Sequence, residues 1–258
     1  MFKKSLGQNF LNSPAIINRI IEIATLSKKD KILEIGPGQG QLTFKIAERV
    51  KQVVAIEKDD QLANYLKEKI KTEKIKNIEI INQDILKIDP QDYQDFKIIT
   101  NLPYYISGQF LRVFLPHRKQ DTFLMLQKEV AQRIIAGPPN NNILSLAVQF
   151  YGDPKILFFV KANNFKPAPK VDSAFIIISP KINKPEENDQ IEDYFFQTVK
   201  ASFSSKRQTL LNNLSRGFKI NKDEIKKILE SLEIDTNKRA QELSLIDYKQ
   251  LANVIRNL

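Results

Sequence analysis

Through residue 179 the chain alternates short apolar runs with stretches whose apolar residues fall at helical spacing. The runs are KILEI (31–35), QVVAIE (52–57), NIEIIN (77–82), FKIIT (96–100), TFLMLQ (122–127), KILFFV (155–160) and AFIIIS (174–179). Runs rich in Ile and Val suit strands that are buried on both faces, and helices between them predict a doubly wound parallel sheet. One amphipathic helix precedes the first run, with Ser13 as cap, Pro14 in its first turn, and Ile16, Ile17, Ile20 and Ile21 on one face. Another helix is predicted over roughly 128–151. A short loop joins the last two runs, so they are expected to form an antiparallel hairpin at one edge of the sheet.

The stretch SPKINKPEENDQ (179–190) is polar, contains two prolines and ends the strand pattern. Beyond it, apolar residues recur at 195, 196 and 199, at 210, 211 and 214, and at 225, 228, 229 and 232, which is helical spacing throughout. The predicted organisation is an α/β domain over 1–181 and a small all-helical domain over 182–258. No internal repeat or low-complexity tract interrupts it.

Composition narrows the chemistry. There is no cysteine, which excludes disulfides and thiolate metal sites and points to a reducing, cytoplasmic setting. The single histidine, His117, excludes zinc sites built on paired histidines and Ser-His or Cys-His nucleophilic catalysis. No apolar run approaches the ~20 residues of a membrane span, and Met1 to Asn12 lacks the apolar stretch of a secretory signal. Lys and Arg total 40 against 30 Asp and Glu, a formal charge of +10. That sign favours a polyanionic partner, although surplus lysine also serves solubility.

Candidate chemistry gathers at the ends of the predicted strands. LEIGPGQG (33–40) sets Glu34, Gly36, Gly38 and Gly40 where the first strand must turn sharply and let a ligand approach the backbone. The spacing is neither the dinucleotide fingerprint nor a P-loop. Taken alone, it is weak evidence, since a tight strand-to-helix connection is the alternative. Glu57 ends the second strand, where a carboxylate can accept both hydroxyls of a ribose. Asp84 follows the third, where it could accept from an adenine amino group while Ile85 touches the ring. Singly, either acid could be a solvated loop carboxylate; in order, they describe an adenosine-shaped pocket of the kind found in S-adenosylmethionine-dependent methyltransferases.

ITNLPYYIS (99–107) then falls at the fourth strand end, where the methyl acceptor should lie. The Asn101 side-chain oxygen and the Leu102 carbonyl can accept the two hydrogens of an exocyclic amine and aim its lone pair. Pro103 fixes the turn without adding a donor. Tyr104 can stack on a base and present its π face to developing positive charge. Tyr105 receives no role beyond packing.

With these segments in view, the chain closely resembles the ribosomal RNA adenine N6,N6-dimethyltransferase family over nearly its whole length. The matching stretches include SLGQNFLNS (5–13), LEIGPGQG, VAIEKD (54–59), NQDIL (82–86), NLPYYIS (101–107), LQKEVAQRI (126–134), FKPAPKVDSA (165–174) and FSSKRQTLLNNL (203–214). The resemblance implies a Rossmann-like methyltransferase domain followed by a helical rRNA-binding domain, with S-adenosyl-L-methionine as cofactor. The implied substrate is 16S rRNA of the small ribosomal subunit, dimethylated on two adjacent adenines of its 3′-terminal hairpin loop by a monomeric enzyme. It implies cofactor contacts from Asn9, Leu11, Gly36, Glu57, Asp84 and Asn101. Gln8, Asn9, Phe10 and Leu11 would belong to a lid segment spanning 1–12. Phe165 would be a second aromatic wall facing Tyr104. Lys206 and Arg207 would contact phosphates, or else belong to a solvated helix face.

Two departures from the family pattern are present. NNILSL (141–146) lacks a Tyr-Gly pair common before the Leu-Ser, and Lys206-Arg207-Gln208 replaces a more basic run. Rival readings are a large-subunit rRNA adenine methyltransferase of the macrolide-resistance type and a non-catalytic assembly or transcription factor on the same fold. A DNA adenine methyltransferase is disfavoured because Leu102 stands where such enzymes usually carry proline.

Overall fold

The computed structural model describes residues 9–181 and 189–258. These residues form two compact units, 9–131 with 152–180 and 132–151 with 181 and 189–258. Among them, no helix is long and apolar enough to cross a membrane.

The first unit opens with β1 (Phe10–Leu11) and α1 (Pro14–Ile23), followed by β2 (Lys31–Ile35), α2 (Gln41–Ala47), β3 (Gln52–Glu57), α3 (Asp60–Thr72), β4 (Ile78–Asn82), β5 (Lys97–Asn101), α4 (Ser107–Phe114) and β6 (Thr122–Gln127). After α5 (Lys128–Ile134) and α6 (Ile143–Tyr151) come β7 (Gly152–Val160), β8 (Phe165–Lys166) and β9 (Ser173–Pro180). The main sheet has the order β4-β3-β2-β5-β6-β9-β7, and β1 pairs separately with β8. From β4 to β6 all pairings are parallel; β9 runs antiparallel to both β6 and β7. Ile32, Val53, Ala55, Ile98, Ile99, Leu124 and Met125 are wholly buried, which accounts for strands without polar alternation.

Sequence order reverses between β2 and β5, the switch point at which open α/β sheets bind ligands. The ladder there pairs Ile32 with Lys97 and Leu33 with Ile98. Further along, the buried Thr100 hydroxyl replaces it, accepting from the Ile35 N–H at 3.2 Å and donating to the Ile35 carbonyl at 2.6 Å. A side chain thus stands between two backbones, so the strand ends separate just before Asn101.

The second unit departs from the sequence reading in one respect. Residues 132–151, assigned from the sequence to the sheet domain, pack with the helices α7 (Asp189–Ser202), α8 (Leu210–Phe218), α9 (Lys222–Ser231) and α10 (Leu245–Arg256). The cause is aromatic: the Phe150 ring lies 4.4 Å from that of Phe195 and 5.4 Å from that of Phe196. Buried Asn141 adds two bonds, from its N–H to the Gln241 carbonyl and from its Nδ2 to the Leu243 carbonyl. The single helix expected over 128–151 is also broken, because Gly137-Pro138-Pro139 cannot continue α5. Helix ends are capped as their sequences suggest: Thr209 accepts from the Asn212 N–H, and Ser244 and Asp247 form a reciprocal capping box.

Replacing Thr100 by Val keeps the shape and removes both bonds to Ile35. The variant is expected to lose about 1–3 kcal/mol in denaturant unfolding, the range for stranding buried polar groups; an unchanged midpoint would show that the bridge is dispensable.

Candidate active site

The separated strand ends border a cavity of about 720 Å³, counted with its open mouth. One wall is the turn after β2. Gly36 and Gly38 have φ of +65° and +61°, values that glycine adopts without strain. Gly38 is further constrained by its surroundings, since a Cβ there would lie 2.4 Å from Cε1 of Phe10. The missing side chain makes room for the β1 segment.

Glu57 holds this turn. Its Oε2 accepts from the Gly38 N–H at 3.2 Å and its Oε1 from the Asp59 N–H at 2.9 Å. Burial pushes its carboxyl above the ordinary range, and those backbone donors act in the opposite direction. Each oxygen retains acceptor capacity toward the cavity that it lines. Asp84 forms the next corner. Its Oδ1 caps the short helical turn 85–87 by accepting from the Leu86 N–H at 3.0 Å. Its Oδ2 meets Lys58 Nζ at 2.9 Å. The bond to Lys58 holds the Asp84 carboxyl below its usual value and raises the lysine. Ile85 is buried and lines the same cavity.

The opposite wall is the β5 end. Asn101, Leu102, Pro103 and Tyr104 all line the cavity. The Pro103 carbonyl accepts from the Ile106 N–H at 3.1 Å, closing a short helical turn over 104–106. The Tyr104 hydroxyl shares a 2.7 Å hydrogen bond with Ser173 Oγ, which ties the ring to the start of β9. Burial raises that phenol's pKa, so it stays protonated. Asn101 Nδ2 donates to the Asn9 carbonyl at 2.9 Å. Asn9 and Phe10 therefore also face the cavity.

Several expected residues lie elsewhere. Phe165, expected opposite Tyr104, is 4% exposed and packs in the core of the sheet unit. Its partner across the β1-β8 ladder is Leu11, which is buried in the same cluster. Backbone pairing seals both side chains inside, and neither lines the cavity. Glu34 lies behind the turn, 2% exposed, and does not line the cavity either. Gln8 falls outside the described residues. Lys206 and Arg207 are exposed in the other unit, on a loop that Asn213 braces by donating to the Ser202 and Ser205 carbonyls at 2.7 and 2.9 Å.

Sequence reasoning missed Lys58 and Tyr105. Lys58 directly follows Glu57, so its place at a strand end was the available signal. Tyr105 does not pack as expected; it is 58% exposed at the cavity's edge.

The family model for ribosomal RNA adenine dimethylase matches residues 1–256. The chain belongs to the ribosomal RNA adenine dimethylase family. Relatives named ribosomal RNA small subunit methyltransferase A are 40% identical in Fusobacterium nucleatum, over 98% of this chain and 97% of that protein, and 40% identical in Clostridioides difficile, over 98% and 91%. Among solved structures, a dimethyladenosine transferase from Plasmodium falciparum aligns with a TM-score of 0.80 at 28% identity, covering 94% of this chain and 95% of that one. The 23S rRNA methyltransferase ErmE aligns with a TM-score of 0.76 at 26% identity, covering 95% and 98%. Membership in the dimethylase family makes the chain an S-adenosylmethionine-dependent rRNA methyltransferase with a Rossmann-like sheet domain. The cavity has the chemistry to fit that cofactor: a tight glycine turn, a buried carboxylate at the end of the next strand, and Asp84 beside the apolar Ile85.

Glu34 offers a test of the site's electrostatics. Burial, opposed in part by Thr43 and aided by the Glu57 charge, pushes its pKa from 4.5 up to about 8, and its Oε2 has no hydrogen-bond partner among the described residues. Because the folded pKa is raised, its contribution to stability is fully present below pH 4.5 and is lost as the pH rises through about 8. Glu34→Gln, a permanently neutral analogue, is expected to unfold at higher denaturant than the parent at pH 8 and to show no such advantage at pH 5. A lower midpoint at pH 8 would mean that the carboxylate is needed ionised.

Proposed function

We propose that this dimethylase converts two adjacent adenines in the 3′-terminal hairpin loop of small-subunit rRNA to N6,N6-dimethyladenine. The observation that carries the reading is that the Asn101–Tyr104 turn opens into the same cavity as Glu57 and Asp84. Amine-orienting and nucleoside-binding groups then share one crevice. The choice of subunit is supported by relatives about 40% identical that are named for the small subunit.

When bound, S-adenosylmethionine supplies an electrophilic methyl group on a sulfonium. Glu57 receives the ribose hydroxyls, Asp84 and Ile85 the adenine, and Gly36 and Gly38 admit the chain close to the backbone. Asn101 Oδ1 and the Leu102 carbonyl accept the target amine's hydrogens and turn its lone pair toward the methyl. Tyr104, its hydroxyl fixed on Ser173, offers a ring face to the base. No general base with a tuned pKa is required, because the amine's proton becomes acidic as the methyl transfers. One hydrogen is left after the first transfer, so the same geometry serves a second. The helical unit, with Lys206 and Arg207 exposed on a braced loop, would hold rRNA phosphates.

Small and large ribosomal subunits lacking the modification, each incubated with the protein and cofactor, separate the alternatives by primer extension. Stops at two adjacent adenines near the 3′ end of small-subunit rRNA are expected. Methylation confined to the large subunit would overturn the assignment.

A further inference from the structure

The amide of Asn101 is held from a direction that the transfer chemistry does not explain. Its Nδ2 donates to the backbone carbonyl of Asn9 at 2.9 Å. A carbonyl has no hydrogen to give, so only the nitrogen end of the amide can face it. The amide is planar, and Oδ1 must therefore turn the other way. We propose that the Asn9 carbonyl sets the orientation of the amine-accepting amide, which makes Asn9 a positioning residue and explains why position 101 carries Asn and not Asp.

The carbonyl is itself fixed in place. Immediately after Asn9, Phe10 and Leu11 pair antiparallel with Lys166 and Phe165. The Asn12 N–H donates to the Asn164 carbonyl at 2.8 Å. The Phe10 ring occupies the space that Gly38 leaves open, and Leu11 is sealed in the core. A strand too short to stabilise itself thus delivers one acceptor to one point, and the glycine turn, β8 and Asn101 converge there.

Aspartate at 101 would keep the shape and the outward acceptor while replacing the inward donor with a second acceptor. Two oxygens without a hydrogen would then face each other, and the carboxyl must move or take up a proton. Glu57, Lys58, Asp84, Tyr104 and Tyr105 are the other titratable groups lining the cavity. The two carboxylates would favour that proton and Lys58 would oppose it.

The inference rests on the reading of Asn101 as acceptor of the target amine, and it is tested on the full-length chain. In the isotope-labelled parent, a scalar coupling across the hydrogen bond should link Asn101 Nδ2 to the Asn9 carbonyl carbon. In Asn101→Asp the new carboxyl should titrate above the ordinary aspartate value of about 3.9. At neutral pH methyl transfer should fall about 100-fold, the scale on which one aligned hydrogen-bonding group at a reacting centre is felt. It should recover as the pH is lowered toward that carboxyl's pKa, while the parent gains nothing. Absence of the coupling, or an Asn101→Asp protein as active as the parent at neutral pH, would overturn the proposal. Neither result bears on which nucleotides are methylated, so the functional reading stands or falls separately.

Discussion

The site depends on the Thr100 hydroxyl that keeps two strands apart. Where β2 and β5 share a ladder, Ile32, Leu33 and Ile98 are wholly buried and the sheet is closed. Where Thr100 takes over from that ladder, it opens. The glycine turn leaves on one side and the Asn101–Tyr104 turn on the other, so residues far apart in sequence come to face each other. A backbone ladder carried further would have closed the crevice, and a wholly apolar side chain would have left the Ile35 amide groups unpaired.

Charge in the crevice is arranged by depth. Glu34, behind the crevice and outside its lining, has an oxygen without a partner among the described residues and a strongly raised pKa. Glu57, at the wall, is buried yet held by two backbone N–H groups, so that it both organises the glycine turn and lines the cavity. Asp84, at the mouth, is held ionised by Lys58. The acid at the mouth is thus held ionised while burial disfavours charge on the acid behind the crevice.

Much of this was legible in the sequence because strand ends are easy to read. Apolar runs locate the strands, and Gly36, Glu57, Asp84 and Asn101 each lie at or within two residues of the end of one. The failures have a common cause. β1 and β8 are too short to show any periodicity, and their pairing buries Leu11 and Phe165, side chains that a motif reading aimed at the ligand. In α6, Phe150 and Tyr151 look like core residues of either unit; only their aromatic partners, distant in sequence, decide which. Tyr105 follows a motif whose last residue, Tyr104, packs inward, and nothing local says that the next ring points out.

In the proposed mechanism Asn101 acts on the methyl acceptor at the reacting centre. Single-turnover methyl transfer by Asn101→Ala, with cofactor and small subunits both saturating, tests it most directly because saturation removes any loss of affinity. The rate constant is expected to fall by ~10²-fold or more, the scale of losing an aligned hydrogen-bonding group in a transition state. A rate constant equal to the parent's would contradict the account.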